Sequence, residues 1–233
     1  MRHTALKRLG TALVSTDSYG LALLLLAGTY VISVSAQATS GASAVVFVQI
    51  GVVLFVLHTS RAHRAVRLVA TVVVVVAGIV AVVELVARHG EARPHALVPA
   101  VSCVLYLVAL FEIVRNVATR DTIDLQSALG AVAAYLCIGF FFAFAYRAVG
   151  LAQAAPFFGR QGDGTMSNDM FFSMTTLTTT GYGNLVPAQN PGQTLAVMEM
   201  MTGQLFLVVV VGKVIAALPG RHARETAAAS DAR

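Results

Sequence analysis

Charged side chains are scarce in this chain, and their scarcity excludes most soluble folds. Lysine, arginine, aspartate and glutamate make up 12% of the 233 residues, tryptophan is absent, and 57% of the residues are hydrophobic. A soluble domain carries about 25% charged residues, so this composition indicates an integral membrane protein. Long apolar runs, each near the length of a spanning helix, predict an all-α fold.

Reactive and metal-binding residue patterns are also missing. The two cysteines, Cys103 and Cys137, lie inside apolar runs, which is typical of small buried thiols rather than of a disulfide. His89 and His95 flank Glu91 in a short polar loop, where solvated side chains are the expectation. No phosphate-binding loop, nucleophile elbow or zinc-protease motif is present. We therefore predict that the protein is not an enzyme and has no cofactor.

Six apolar runs predict six transmembrane helices. They cover residues 19–36, 42–58, 66–87, 96–117, 127–149 and 194–218. The predicted parts are an N-terminal segment (1–18), a four-helix domain (19–117), a linker (118–126), a pore domain (127–218) and a short tail (219–233). Gln49, in the middle of the second run, is expected to face other helices. For the first run the alternative is a cleaved signal peptide, since Ala36-Gln37-Ala38 has the small-x-small form; the long leading segment with Asp17 favours a spanning helix.

The basic residues predict the orientation of these runs. With the N-terminus inside, most of the 16 lysines and arginines fall on the cytoplasmic side. Both termini are therefore expected in the cytoplasm of a multi-pass protein of the cell membrane. Because the net charge of +5 is explained by topology, no nucleic-acid partner is expected.

A hydroxyl- and glycine-rich stretch separates the last two runs. Residues 178–184 read Thr-Thr-Thr-Gly-Tyr-Gly-Asn, and a short helix over residues 169–179, capped by Asn168, is predicted to lead into them. Gly181 and Gly183 can take φ angles that other residues avoid. That freedom lets successive backbone carbonyls point the same way. Such a row of oxygens can replace the water around a dehydrated cation, and the Thr179 hydroxyl can add one more oxygen.

At these residues the chain resembles the potassium-channel family, whose selectivity filter is built from four TVGYG loops. Threonine stands here where the family often has valine, and Asn184 stands where aspartate is commoner. The resemblance runs from about residue 127 to residue 218. It implies a two-helix pore module with a re-entrant loop, a homotetramer, and K⁺ as the permeant ion. The ion-binding positions that it implies are Thr179, Thr180, Gly181, Tyr182 and Gly183.

The resemblance also implies roles for residues around the filter. The short helix is expected to direct the negative end of its dipole toward the pore axis, which favours a cation. The Tyr182 side chain is expected to point away from the axis. Some family members carry a carboxylate at the position of Thr175, and Glu199 is a candidate to replace that carboxylate. Glu199 is expected to form hydrogen bonds behind the filter or the short helix, and a neutral acid is one form that it can take there. The implied filter-support residues are Phe171, Phe172, Thr175, Asn184 and Glu199.

The last run carries a candidate hinge and a candidate cavity wall. Gly203 falls where the family has its hinge glycine, and close helix packing is the alternative role, since a mid-helix glycine costs about 1 kcal/mol relative to alanine. By alignment, the cavity-lining residues are Gln204, Leu207, Val208, Val211, Gly212 and Ile215. Apart from Gln204 this wall is apolar, which is compatible with a hydrophobic gate.

Six runs ending in a pore match the plan of voltage-gated channels, but a voltage sensor is not evident. A sensor needs several arginines spaced by three within a membrane helix, because one charge crossing 100 mV is worth about 2.3 kcal/mol. The fourth run offers Arg115. Arg61, Arg64 and Arg67 have the spacing, but they are predicted to lie in an inner loop, where binding to anionic lipid is the favoured role. We predict weak or no voltage dependence.

Three other functions remain open at this point. A non-selective cation channel is disfavoured by the intact Gly181-Tyr182-Gly183. A cation-transporter subunit is disfavoured because such transporters usually hold four filter-like loops in one chain. A membrane subunit with a non-conducting pore is the third.

Overall fold

The computed structural model describes residues 19–35, 49–51, 54–55, 64–87, 96–119 and 125–213, and this part of the chain contains helices and loops but no strands. The helices are α1 (Tyr19–Ser35), α2 (Arg64–Ala87), α3 (Leu97–Ala118), α4 (Leu125–Ala152), α5 (Met166–Leu177) and α6 (Gly192–Phe206). A 3-10 turn, Gly159–Gln161, lies in the loop before α5, and a π-helical turn, Leu207–Val211, continues α6.

Three of these helices are long and apolar enough to cross a membrane, over Leu97–Ala118, Gln126–Ala152 and Gly192–Val210. Tyr19–Ile32 and Thr71–Val80 are shorter apolar helices. The all-helical membrane protein predicted from composition is therefore confirmed for the part of the chain that the structure describes. Most of the predicted second helix, and the end of the sixth from residue 214, lie outside the described residues.

The predicted helix bounds agree with the structure to within three residues at most ends, and two of the differences affect the site. The helix before the glycine-rich loop begins at Met166, three residues earlier than predicted, because Thr165 rather than Asn168 is its N-cap. The Thr165 hydroxyl accepts a hydrogen bond from the Asn168 N–H, and the Asn168 side chain accepts one from the Thr165 N–H. The second difference is at the start of α2, where Arg64 and Arg67 lie in the first turns of the helix rather than in a loop; Arg61 is outside the described residues.

Helix α4 lies at the centre of the packed helices and contacts α1, α3, α5 and α6. Buried alanines on α4, such as Ala133 and Ala143, allow close approach of its neighbours. On the α3 side, the Tyr106 ring stacks against Phe140 and Phe144, with centroid distances of 5.0 and 5.6 Å. The result is one continuous apolar core that supports α5 from behind.

Polar contacts join the N-terminal helices to this core. The Tyr19 N–H donates to Gln126 Oε1 at 3.0 Å, and the Asn116 amide donates to the Tyr19 hydroxyl. Gln49 is fully buried, and its Oε1 accepts from the Ser102 hydroxyl of α3 at 2.7 Å, so the prediction that Gln49 faces other helices is confirmed.

Candidate functional site

The glycine-rich loop is tied to the end of α5 through its backbone N–H groups. Thr178 N–H donates to Met174 O at 3.1 Å and Thr179 N–H donates to Thr176 O at 2.9 Å. The N–H groups of Thr180 and Gly181 both donate to Thr175 O, at 2.8 and 3.1 Å. These bonds satisfy carbonyls that a helix end otherwise leaves without partners. They also engage the backbone N–H groups at the start of the loop with α5.

The sign of φ alternates along the same loop. Thr179, Gly181 and Gly183 have φ of 56°, 54° and 76°, and among the described residues Thr179 is the positive-φ residue that is not glycine. Glycine takes such angles freely, whereas a β-branched residue with positive φ is strained, and such strain clusters at functional sites. Positive φ at every second residue is a backbone geometry that lets successive carbonyls face one side.

The carbonyls of this loop are left free by the rest of the described chain. Hydrogen bonds reach the two ends, where Thr178 O accepts from the Thr179 hydroxyl at 2.7 Å and Asn184 O accepts from the Gln161 amide. Within the described ranges, no hydrogen bond is found at the carbonyls of residues 179–183. Residues 178–184 are all exposed in the single chain. Buried carbonyls would need partners, so these oxygens are available to something outside the protomer.

The two aromatic residues predicted to surround the filter have different surroundings. The Tyr182 ring is 70% exposed and stacks on Phe171, with centroids 5.8 Å apart and an interplanar angle of 14°. Phe172 is buried instead between Tyr146 and Phe158, at 4.9 and 5.6 Å. Phe171 therefore contacts the loop directly, and Phe172 contributes to the core behind α5.

Thr175 supports the loop with its backbone carbonyl, the acceptor for two loop N–H groups, while its hydroxyl donates to Phe172 O at 3.0 Å. Glu199 is fully buried behind α5. Its carboxyl group lies within hydrogen-bond distance of the Tyr146 and Ser173 hydroxyls, and the hydrogen bonds of the described residues include none between Glu199 and Thr175. The substitution of Glu199 for a carboxylate at Thr175 stays a prediction.

Gly203 packs against the end of α5. A Cβ atom built on Gly203 would lie 2.6 Å from Leu177 O and 2.9 Å from Leu177 Cδ1. The close-packing role is thus the one that the contacts support, since no larger residue fits without a shift. The π-helical turn Leu207–Val211 begins one turn later, and such turns are frequent at functional sites.

The face of α6 below the loop is open in the single chain. Gln204, Leu207, Val208 and Gly212 are exposed, and the Gln204 amide donates to Thr179 Oγ1 at 3.4 Å. Val211 is described by its backbone alone, and Ile215 lies outside the described residues. Four of the predicted cavity residues are therefore exposed in the single chain, and Gln204 among them contacts the loop.

An ion pair that sequence reasoning missed lies at the start of α5. Asp169 is 1% exposed, and its Oδ2 is 3.9 Å from Arg147 Nη1 of α4, which donates to Gly164 O at 3.0 Å. Burial raises the pKa of Asp169 to about 8, against the lowering effect of Arg147 and with a smaller raising effect from Asp163. The Tyr135 hydroxyl, also missed, donates to Leu177 O at 3.0 Å. Arg147 and Tyr135 are isolated polar residues in an apolar run, and this was the available signal for both contacts.

Comparisons with known proteins agree with this geometry. A family model described as "Ion channel" matches residues 131–219, the segment that contains most of α4, all of α5, the loop and α6. Residues 131–219 therefore match an ion-channel module, which makes this part of the chain similar to ion channels rather than to an enzyme.

The curated relatives are voltage-gated delayed rectifier potassium channels named KCNH5, from Homo sapiens, Mus musculus and Rattus norvegicus. Each is 29% identical to this chain over 113 residues. The match covers 48% of this chain but 10% of the length of each relative. No solved structure gives a significant match.

Proposed function

We propose that the protein is a potassium-selective channel that conducts K⁺ passively as a homotetramer. The single observation that carries this proposal is the row of partner-free carbonyls at residues 179–183, whose backbone alternates in the sign of φ. Carbonyl oxygens arranged around an axis replace the hydration shell of K⁺ in such filters. Potassium is also the ion in the name of the relatives.

The tetramer is proposed because one chain supplies one loop. A ring of oxygens needs several loops, and non-helical backbone at membrane depth must be surrounded by protein or reached by water. An exposed apolar face of α6 is available for contacts between copies, and it includes Val197, Met198, Met201 and Leu205. In that assembly the C-terminal end of α5 would face the axis and favour a cation there.

The proposed topology keeps six spans with both termini in the cytoplasm and a re-entrant α5 and loop. Gln204, Leu207 and Val208 would line the cavity beneath the filter, together with Val211, Gly212 and Ile215. Voltage gating is not transferred from the relatives, because the match covers 10% of their length. Arg64 and Arg67 are proposed to contact anionic lipid, with Arg61, so voltage dependence would be weak or absent.

The test is a flux assay on purified protein in liposomes, with K⁺ and Na⁺ gradients measured in parallel. Gly181 has φ of 54°, and left-handed backbone costs a residue with a Cβ about 1–2 kcal/mol. Gly181→Ala is therefore expected to lose K⁺ flux and selectivity. Gly28→Ala is the control, because nothing lies within 4 Å of the Cβ position there and it is far from the loop in sequence.

Equal K⁺ and Na⁺ flux through the native protein would favour the non-selective channel. Absence of flux in correctly inserted protein would favour a non-conducting subunit. A native-like Gly181→Ala variant would contradict the assignment of the loop as the filter.

A further inference from the structure

Glu199 is a carboxyl group in the middle of a helix that can cross a membrane. It is 0% exposed and lies within the apolar span Gly192–Val210. The ion pairs among the described residues are Arg115–Glu112 and Arg147–Asp169, and neither includes Glu199. A buried carboxylate without a cation is costly, and such groups usually become neutral instead.

The hydrogen bonds around Glu199 can be counted, because each group has a fixed number of donors. The Tyr146 hydroxyl lies 2.6 Å from Oε2 and can donate to it. Ser173 Oγ lies 2.5 Å from Oε1 and also 2.7 Å from Gly139 O. A carbonyl oxygen cannot donate, and a serine hydroxyl has one hydrogen. If Glu199 were ionised, the two acceptors beside Ser173 would compete for that one hydrogen.

With a proton on Glu199 Oε1, the number of hydrogens equals the number of short oxygen–oxygen contacts. Glu199 then donates to Ser173 Oγ, Ser173 donates to Gly139 O, and Tyr146 donates to Glu199 Oε2. Each of the three short oxygen–oxygen contacts in this chain of bonds then contains one hydrogen. With a carboxylate, one of the two short contacts of Ser173 Oγ, to Gly139 O at 2.7 Å or to Glu199 Oε1 at 2.5 Å, would join two acceptors with no hydrogen between them.

We infer that Glu199 is held as a neutral carboxylic acid that donates its proton to Ser173 and thereby joins α6 to α4 and α5. Ser173 lies one turn before Leu177, the residue at the end of α5 whose carbonyl packs on Gly203. Glu199 is thus a positioning residue for the last turn of α5, which in turn holds the loop. This positioning role rests on the proposed function, whereas the protonation state does not.

The titratable and charged groups on the neighbouring helices give Glu199 no cation. On α4 they include Tyr146, the buried thiol of Cys137, and Tyr135, whose hydroxyl is engaged with Leu177 O. Arg147 of α4 pairs instead with Asp169 of α5, which is a second buried acid. An experiment on Glu199 must therefore separate it from Asp169.

Infrared spectroscopy of the purified protein in detergent tests the protonation state directly. The native protein at neutral pH is expected to show the carbonyl stretch of a protonated carboxyl group, and Glu199→Gln is expected to lose that component. The component must persist in Asp169→Asn and in Glu112→Gln, which remove the two other acids that are buried in the described part of the chain. Loss in Asp169→Asn together with no change in Glu199→Gln would overturn the inference.

Two substitutions at Glu199 test the same point by thermal unfolding. A glutamine amide can donate to Ser173 and accept from Tyr146, so Glu199→Gln should melt like the native protein. Glu199→Met has a similar shape without hydrogen-bonding groups and should melt earlier. If Glu199 were ionised, Glu199→Gln would remove a buried charge and melt clearly later than the native protein, which would refute the neutral acid.

The flux assay then tests positioning. Glu199→Gln is expected to keep the native ratio of K⁺ to Na⁺ flux, and Glu199→Met and Ser173→Ala are expected to lower it. Native-like flux in Glu199→Met would refute the positioning role. Neither the infrared nor the unfolding result depends on ion conduction, so a failure of the neutral-acid inference can be told from a failure of the channel proposal.

Discussion

Replacement of Gly203 with alanine separates the two roles predicted for this glycine. The added Cβ would lie 2.6 Å from Leu177 O, a backbone atom that cannot rotate away, and 2.9 Å from Leu177 Cδ1. Overpacking of this kind costs about 1–3 kcal/mol, and alanine regains about 1 kcal/mol of helix propensity. Because the opposing atom belongs to the backbone, we expect the upper part of that range and a net loss of about 1–2 kcal/mol.

Thermal unfolding of the purified protein in detergent measures this loss. For a chain of this size, 1 kcal/mol shifts the midpoint by about 2–4 °C, so Gly203→Ala is expected to melt several degrees below the native protein. Gly78→Ala is the matched control, because Gly78 is also in a helix and nothing lies within 4 Å of its Cβ position. The control should keep or raise the melting temperature, since only the propensity gain applies.

A glycine that served as a hinge alone would behave in the opposite way. Alanine would then stabilise the straight helix, and Gly203→Ala would melt at or above the native temperature, as Gly78→Ala does. That outcome would refute the packing argument. Lowered stability together with a lowered ratio of K⁺ to Na⁺ flux would show that the contact with Leu177 also holds the loop.

Two further predictions follow from contacts of α5. The pKa of Asp169 is raised in the folded protein, so its contribution to stability is fully present below pH 3.8 and is lost as the pH rises through about 8. The native protein should therefore lose stability relative to Asp169→Asn over that range. Melting temperatures of the two proteins that change with pH in the same way would contradict the assignment. Phe171→Ala removes the ring stacked on Tyr182, worth about 0.5–1.5 kcal/mol, and should lower the ratio of K⁺ to Na⁺ flux. Phe111→Ala, at an exposed ring on α3, should leave that ratio unchanged.

Much of this protein could be predicted from local properties of the sequence. The apolar runs predict α1, α3 and α4 to within a few residues, because burial in a bilayer demands length and hydrophobicity that composition records directly. The positive φ at Gly181 and Gly183 is likewise a property of the residue type. The positive φ at Thr179 is not, since threonine disfavours it; the hydrogen bonds to the end of α5 hold it there.

The tertiary structure decided which residues meet. Glu199 was recognisable as a buried acid, but its partners Tyr146 and Ser173 are 53 and 26 positions away along the chain. The contact of Gly203 with Leu177 likewise joins two helices, and no local pattern reports which atom a missing Cβ would strike. The physical reason is that hydropathy and backbone preference act within a few residues, whereas hydrogen-bond partners and close packing depend on how separate helices are placed against each other.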